Sequence, residues 1–264
     1  TMWSLINELN GKKRKPGFER IVNNGNKIEN PKKIATIFNN YFLDVLQTPM
    51  HLNYHNIQNP LSDSQYNSLF LEPVTQNEIL TIIKTLSPLS SPGIDEIPTK
   101  VLKSCASILA AHLCELINLS FQTGEFPSLL KVAKVIPIHK KGGKEDVKNY
   151  RPISVLPVCS KIFEIAFRNR LIKFLDSNNI ISASQHGFRK GKSTDTAVFD
   201  YVSTVANALN NRKQVLGLFI DLSKAFDSID HNTLLQKLNK YGIRGKAHTL
   251  LKSYLSNRFQ LVQV

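Results

Sequence analysis

The sequence predicts an α+β fold, on three observations. Several stretches place apolar residues at helical spacing, while a central stretch from Lys131 changes to period two and to β-branched residues. The two kinds of element then follow one another without the regular strand–helix–strand rhythm of a doubly wound sheet. At 264 residues and 42% apolar content, the chain suffices for one large domain or two lobes around a core.

Residues 1–60 are rich in Asn and Lys and read as a basic linker. Within them "KKIATIFNNYFLDVL" sets Ile34, Ile37, Phe38, Tyr41, Phe42 and Val45 on one face, the pattern of a docking helix. Thr75 and Glu78 form a capping-box pattern ahead of Ile79, Ile82, Ile83 and Leu86. The Ser, Pro and Gly of "SPLSSPGIDEIP" end that helix in a loop. A long helix is predicted from Thr99 to Thr123, with Val101, Leu102, Cys105, Ile108, Leu109, His112, Leu113, Leu116 and Ile117 as its core stripe and Gly124 as its stop.

"KVAKVIPIHK", the turn "KGGKEDVKN" and "YRPISVLPV" read as a basic β-hairpin. A helix over 160–176, the loop "SNNIISASQHGFRKGK" and a helix over 193–209 follow. The apolar run Val215–Ile220 is predicted to be a buried strand that ends on Asp221. Short helices over 232–241 and 245–256 and a last strand in "RFQLVQV" complete the reading.

Lys and Arg number 34 against 20 Asp and Glu, a net charge of +14 that favours a polyanionic partner. Half of it lies in residues 131–170, where ten cations face three acids. Lys or Pro breaks every apolar stretch short of the ~20 residues a spanning helix needs, and the N-terminal residues lack a signal-peptide core. The expectation is therefore an intracellular chain with no membrane partner. Cys105, Cys114 and Cys159 stand singly in helical patterns and read as core thiols; no Cys or His spacing suggests zinc.

The chemistry-bearing motifs separate on spacing. "GFRKGKST" has three residues between its first Gly and the Gly-Lys pair where a Walker loop has four, so it reads as a basic loop capped by Ser193. Arg151, between Tyr150 and Pro152 at a strand start, is placed to fork onto a phosphate. Asp221 at a strand end suits either a turn or a metal carboxylate. Asp227 and Asp230 lack the ladder of a calcium loop, and Asp230 looks like the N-cap of "HNTLLQKL".

Together "SSPGIDEIPTKVLK", "FPSLLKVAKVIPIHKKGGKEDVKNYRPISVLPVCSKIFE", "SQHGFRKGKSTDTA", "FIDLSKAFDSIDHNTLLQKL" and "SYLSNRFQLVQV" resemble, in order, the reverse transcriptase of jockey-type non-LTR retrotransposons. "TMWSLINELNGKK" is similar to the linker ahead of such polymerases, and Glu96 departs from the Gly usual after "SPGID". The resemblance implies the fingers (61–210) and partial palm (211–264) of a right-hand polymerase. It further implies RNA-directed DNA synthesis on an RNA template from a DNA primer and deoxynucleotide triphosphates, at a nicked chromosomal target and hence in the nucleus.

The resemblance also assigns residues. Asp221 matches the catalytic, metal-binding aspartate, with the Leu222 carbonyl as a further Mg²⁺ ligand. Arg151 and Lys140 or Lys141 match the triphosphate contacts, Phe226 the residue under the incoming sugar, and Gln185, Gly187, Phe188 and Arg189 the motif over the template. In the family the partner aspartates lie in a Y/F-A-D-D hairpin after a glycine loop. The sequence is expected to be truncated before both, to lack the C-terminal palm and thumb, and to be inactive alone. The alternative is a non-catalytic nucleic-acid-binding remnant.

Overall fold

The computed structural model describes residues 20–23, 25–47, 67–222, 225–226 and 229–264. Residues 1–13, which resemble the family's linker, lie outside them, as do Lys224, Asp227 and the side chain of Val45.

A short hairpin of β1 (Ile21–Asn23) and β2 (Asn26–Ile28), with Gly25 at its turn, leads into α1 (Pro31–Gln47). α1 is the predicted docking helix: Ile34, Phe38 and Phe42 are buried and Ile37 and Tyr41 half-buried. It docks on a three-stranded sheet of order β4-β3-β5, in which β3 (Val132–His139) runs antiparallel to β4 (Tyr150–Val155) and parallel to β5 (Phe259–Val262). Val135, Tyr150 and Val262 of the three strands meet Phe38 and Ile34 in one apolar cluster. Pro137 is tolerated in the central strand because pairing with β5 stops at Val135, and it faces Pro152 across β4.

A larger helical core gathers α2 (Gln76–Thr85), α3 (Thr99–Ser104), α4 (Ala106–Thr123) and α5 (Val158–Ser177). The helix predicted over Thr99–Thr123 is broken at Cys105, whose φ −99° and ψ 11° leave the helical well. The break rotates the phase. The buried stripe of α4 is Ala110, Leu113, Ile117, Ser120 and Phe121, whereas Val101, Ile108, His112 and Leu116, expected in the core, are exposed. The stop at Gly124 is as predicted, with φ 77°. The three cysteines are half-buried, and Cys114 and Cys159 pack against this core as expected, whereas Cys105 sits at the helix break. Burial pushes the Cys159 and Cys114 thiols up, which keeps them protonated.

Thr75 accepts from the Glu78 backbone N–H at 3.2 Å, as the capping pattern predicts. The Glu78 carboxylate, however, is forked by Arg170 of α5 at 2.8 and 2.9 Å. Arg170 also donates to the carbonyls of Glu72, Pro73 and Ala166, so one guanidinium ties α2 and its lead-in to α5. Arg170 belongs to the basic window of the sequence yet is buried and unavailable to phosphate.

α6 (Thr194–Asn210) starts at Ser193, where Ser193 and Thr196 close a capping box. α7 (His231–Lys240) starts at Asp230, whose carboxyl accepts from Thr233 N–H at 2.7 Å and is held below the usual carboxylate range by hydrogen bonds from the Thr233 side chain and backbone. α8 (Gly245–Leu255) then packs on α4 and leads into β5.

The run Val215–Ile220 is not a strand, a correction to the sequence reading. It has strand composition, but among the described residues no strand pairs with it, and a strand exists only through its ladder. Nor is it buried: Leu216, Leu218, Phe219 and Ile220 are each at least 76% exposed. It leans on α6 instead, where the Tyr201 and Phe219 rings meet edge to face at 5.5 Å.

Glu96, in the loop between α2 and α3, has φ 54°. Glu96 thus stands in the left-handed region that favours glycine, and a non-glycine residue there bears a cost of about 1 kcal/mol. Glu96→Gly is therefore expected to raise the thermal midpoint by about 3 °C. In the same loop Gly93 packs on Pro157 at the start of α5; an added Cβ would lie 2.5 Å from the Pro157 nitrogen. No midpoint gain in Glu96→Gly would show that the left-handed turn is held at no cost.

Candidate nucleotide and template site

Three segments carry the site residues named from sequence. The first is the β3–β4 hairpin. Its turn is internally braced: Asn149 Nδ2 donates to the Gly143 carbonyl at 2.9 Å, and the Lys140 N–H donates to the Asn149 carbonyl at 2.8 Å. The Tyr150 hydroxyl donates to the Lys144 carbonyl at 2.7 Å. Burial pushes the Tyr150 phenol up, and its ring sits edge-on to Phe38 at 5.0 Å. Arg20 adds an ion pair to Glu145 at 2.5 Å. β1 and α1 thus fix the base and tip of the hairpin. Next to Tyr150, Arg151 lies opposite Ile138 in register and points to solvent, and Lys140 and Lys141 are exposed where the turn begins. Among the described residues none of these three cations has an ion-pair partner.

The second segment is the loop before α6. Arg189 is drawn back onto Asp176 of α5 at 2.5 Å, and Lys192 donates to the Ala183 carbonyl. His186 is the brace that sequence reading missed. Its Nδ1 meets Thr196 Oγ1 at 2.8 Å and its Nε2 meets Asp200 Oδ2 at 3.3 Å. The available signal was the i, i+4 spacing of Thr196 and Asp200, which puts both on one face of α6. Gln185 Nε2 donates to the Gly187 carbonyl at 3.3 Å. The loop presents Phe188 at φ 59° and 85% exposed, an unusual conformation for an aromatic residue.

The third segment is Val215–Phe226. Asp221 and Leu222 are exposed, and Phe226 reaches the second segment: the Phe188 and Phe226 rings meet edge to face at 5.9 Å. The structure thus joins a residue named for the template with one named for the sugar. Among the described residues no group of three or more His, Cys, Asp or Glu could hold a metal ion. Asp221 is one carboxylate, so the described residues do not complete a metal site. The basic surface of the hairpin is also smaller than the window's charge count, since Arg170 is engaged by Glu78 and Lys131 sits off the hairpin on Ser253. Among the described residues no helix is long and apolar enough to cross a membrane.

Residues 138–263 match the family model described as reverse transcriptase (RNA-dependent DNA polymerase). Across most of its length the chain is similar to the probable RNA-directed DNA polymerase from transposon BS of Drosophila melanogaster, with 32% identity over 223 residues, 84% of this chain and 23% of that protein. It is likewise 32% identical over 192 residues to the RNA-directed DNA polymerase from mobile element jockey of the same organism, covering 72% of this chain and 21% of that protein. The probable RNA-directed DNA polymerase from transposon X-element, also of Drosophila melanogaster, is 29% identical over 202 residues, which are 76% of this chain and 22% of that protein. The chain spans less than a quarter of the length of these relatives. On these matches the chain belongs to the reverse transcriptases of non-LTR retrotransposons.

Proposed function

We propose that the chain supplies the fingers (61–210) and the start of the palm (211–264) of an RNA-directed DNA polymerase, with residues 1–60 a linker whose helix α1 steadies the fingers hairpin. The polymerase copies an RNA template from a DNA primer, and a chromosomal primer puts that work in the nucleus. One observation carries the reading: Phe188 and Phe226, 38 residues apart in sequence and matched to the template and sugar sides of one new base pair, touch at 5.9 Å.

In this reading Arg151 forks onto the incoming triphosphate with Lys140 and Lys141 beside it, a bidentate role that a guanidinium suits better than an ammonium. Gln185, Gly187, Phe188 and Arg189 lie over the template base. Phe226 abuts the 2′ position of the sugar. Asp221 and the Leu222 carbonyl serve as Mg²⁺ ligands, with partner aspartates supplied by the remaining palm. Bound Mg²⁺ stabilises the attacking and leaving oxygens of phosphoryl transfer. The exposed apolar run Val215–Ile220 takes its ladder partner from that same part of the palm, which supports the pairing of Asp221 with those acids.

The test is sugar choice. In a polypeptide that includes the remaining palm and thumb, Phe226→Ala is expected to incorporate ribonucleotides at least ~10-fold better than the parent, the effect of one lost steric contact of 1–3 kcal/mol. Phe226 is 74% exposed, so its thermal midpoint should not move, whereas truncating a core Phe costs ~3–5 kcal/mol. Unchanged discrimination would remove Phe226 from the sugar site.

A further inference from the structure

Away from the site, a groove of about 1000 Å³ runs between the end of α4, the turn Ser128–Lys131 and the last turn of α8. At its floor lies Lys131, only 7% exposed. Its ammonium donates to Ser253 Oγ at 3.2 Å, and the same oxygen accepts from the Phe126 backbone N–H at 3.0 Å. The acceptor capacity of Ser253 is therefore filled, and its own O–H must donate elsewhere. Two ammonium hydrogens and one hydroxyl hydrogen thus have no acceptor among the described residues.

A buried cation without an ion pair is costly, and among the described residues Lys131 has no ion-pair partner, Glu125 being the one acid that acts on it from nearby. Burial and the neighbouring Arg258 both push its pKa down, with Glu125 opposing them. A structural reading exists, since a cation beside the C-terminus of α8 favours the helix dipole. It leaves the three donors unfilled. The rest of the lining fits an extended anionic ligand: Lys252, Ser128, Ser256 and Asn257 on the polar side, against Glu125 as the one acid. The other wall is apolar, with Leu119 and Leu129 55% and 84% exposed.

We propose that this groove binds a single nucleic-acid strand, seating one phosphodiester oxyanion on Lys131 and Ser253 and resting sugar and base on Leu119 and Leu129. The oxyanion seat stands on the geometry, while the choice of a nucleic-acid strand rests on the polymerase reading. The groove shares no lining residue with the Phe188–Phe226 contact.

Amine acylation of the intact chain, mapped by mass spectrometry, tests it with a single-stranded oligonucleotide of about ten nucleotides and with inorganic phosphate as separate probes. The oligonucleotide is expected to lower Lys131 labelling several-fold. Lys131→Met is expected to reduce the slope of log affinity against log salt by ~0.7, the share of one phosphate contact on a single strand. Lys237→Met, which removes an exposed charge on α7, should leave that slope unchanged. Equal slopes in the two variants, or Lys131 labelling indifferent to the oligonucleotide, would overturn the proposal. So would protection by inorganic phosphate alone. Should Lys131→Met fail to fold, the labelling experiment on the unaltered chain decides. Primer extension, read in the polypeptide that includes the remaining palm and thumb, tests the polymerase separately: extension with Lys131 unprotected sinks the groove alone, and a protected Lys131 without extension sinks the polymerase alone.

Discussion

Asp221→Asn, in a polypeptide carrying the remaining palm and thumb, is expected to lower primer extension by at least ~10³-fold while template affinity stays within about twofold. Asn keeps the shape of the side chain but loses the charge that holds a hard divalent cation. A ~10³-fold loss is about 4 kcal/mol, in line with the several kcal/mol that a catalytic metal contributes. The rival role for Asp221 is a turn former at the end of the apolar run, and exposure separates the two. Asp221 is exposed, so the substitution should leave the thermal midpoint where it was. Single-nucleotide incorporation measured beside template binding makes the comparison, and extension within a few-fold of the parent would remove Asp221 from the site.

The second large effect is on stability. Arg170→Met is expected to destabilise the fold by ~2–3 kcal/mol, because it removes the charged hydrogen bonds that serve the half-buried Glu78 carboxylate and the carbonyls of Glu72 and Pro73. For a chain of this size that lowers the thermal midpoint by on the order of 10 °C. The effect depends on pH in a stated direction. Hydrogen bonds from Arg170 hold the Glu78 carboxyl below its ordinary value of 4.5. A lowered folded-state pKa gives stability that is fully present above 4.5 and is lost as pH falls through the depressed value. The gap between parent and variant should therefore be constant at neutral pH and narrow below about pH 4. Denaturant melts across that range check it; a gap that widens with acid would contradict the assignment.

These two sites also mark what the sequence discloses. Helix ends were legible because caps are local: Thr75, Ser193 and Asp230 each accept from a backbone N–H three residues on, and Gly124 supplies the left-handed stop. The hairpin was legible from its period, and so was the apolar face of α1. What failed was nonlocal. The core stripe of α4 was misplaced because a one-residue break at Cys105 rotates the face, although Leu113 and Ile117 fit both phases. Val215–Ile220 has strand composition, yet composition cannot supply a neighbouring strand. Arg170 sits in an otherwise apolar helical stripe, and its meaning depends on Glu78, 92 residues earlier.

The site was legible to different depths for the same reason. Arg151 was singled out because Tyr150 and Pro152 flank it at a strand start, but nothing local shows that Phe38 on α1 buttresses Tyr150. Gln185, Gly187, Phe188 and Arg189 were named through resemblance. Their distinct settings emerge only in three dimensions, with Arg189 drawn back on Asp176 and Phe188 projecting toward Phe226.

The central claim of the polymerase reading is that Asp221 holds a catalytic divalent cation. Iron-mediated backbone cleavage measures this most directly: Fe²⁺ replaces Mg²⁺ in the polypeptide completed with its palm and thumb, bound to an RNA template and DNA primer, and the cut sites are mapped by mass spectrometry. The expected result is cleavage within a few residues of Asp221, suppressed by excess Mg²⁺ and absent in Asp221→Asn. Cleavage that spares the segment around Asp221 while the enzyme extends primers, or that persists unchanged in Asp221→Asn, would contradict it.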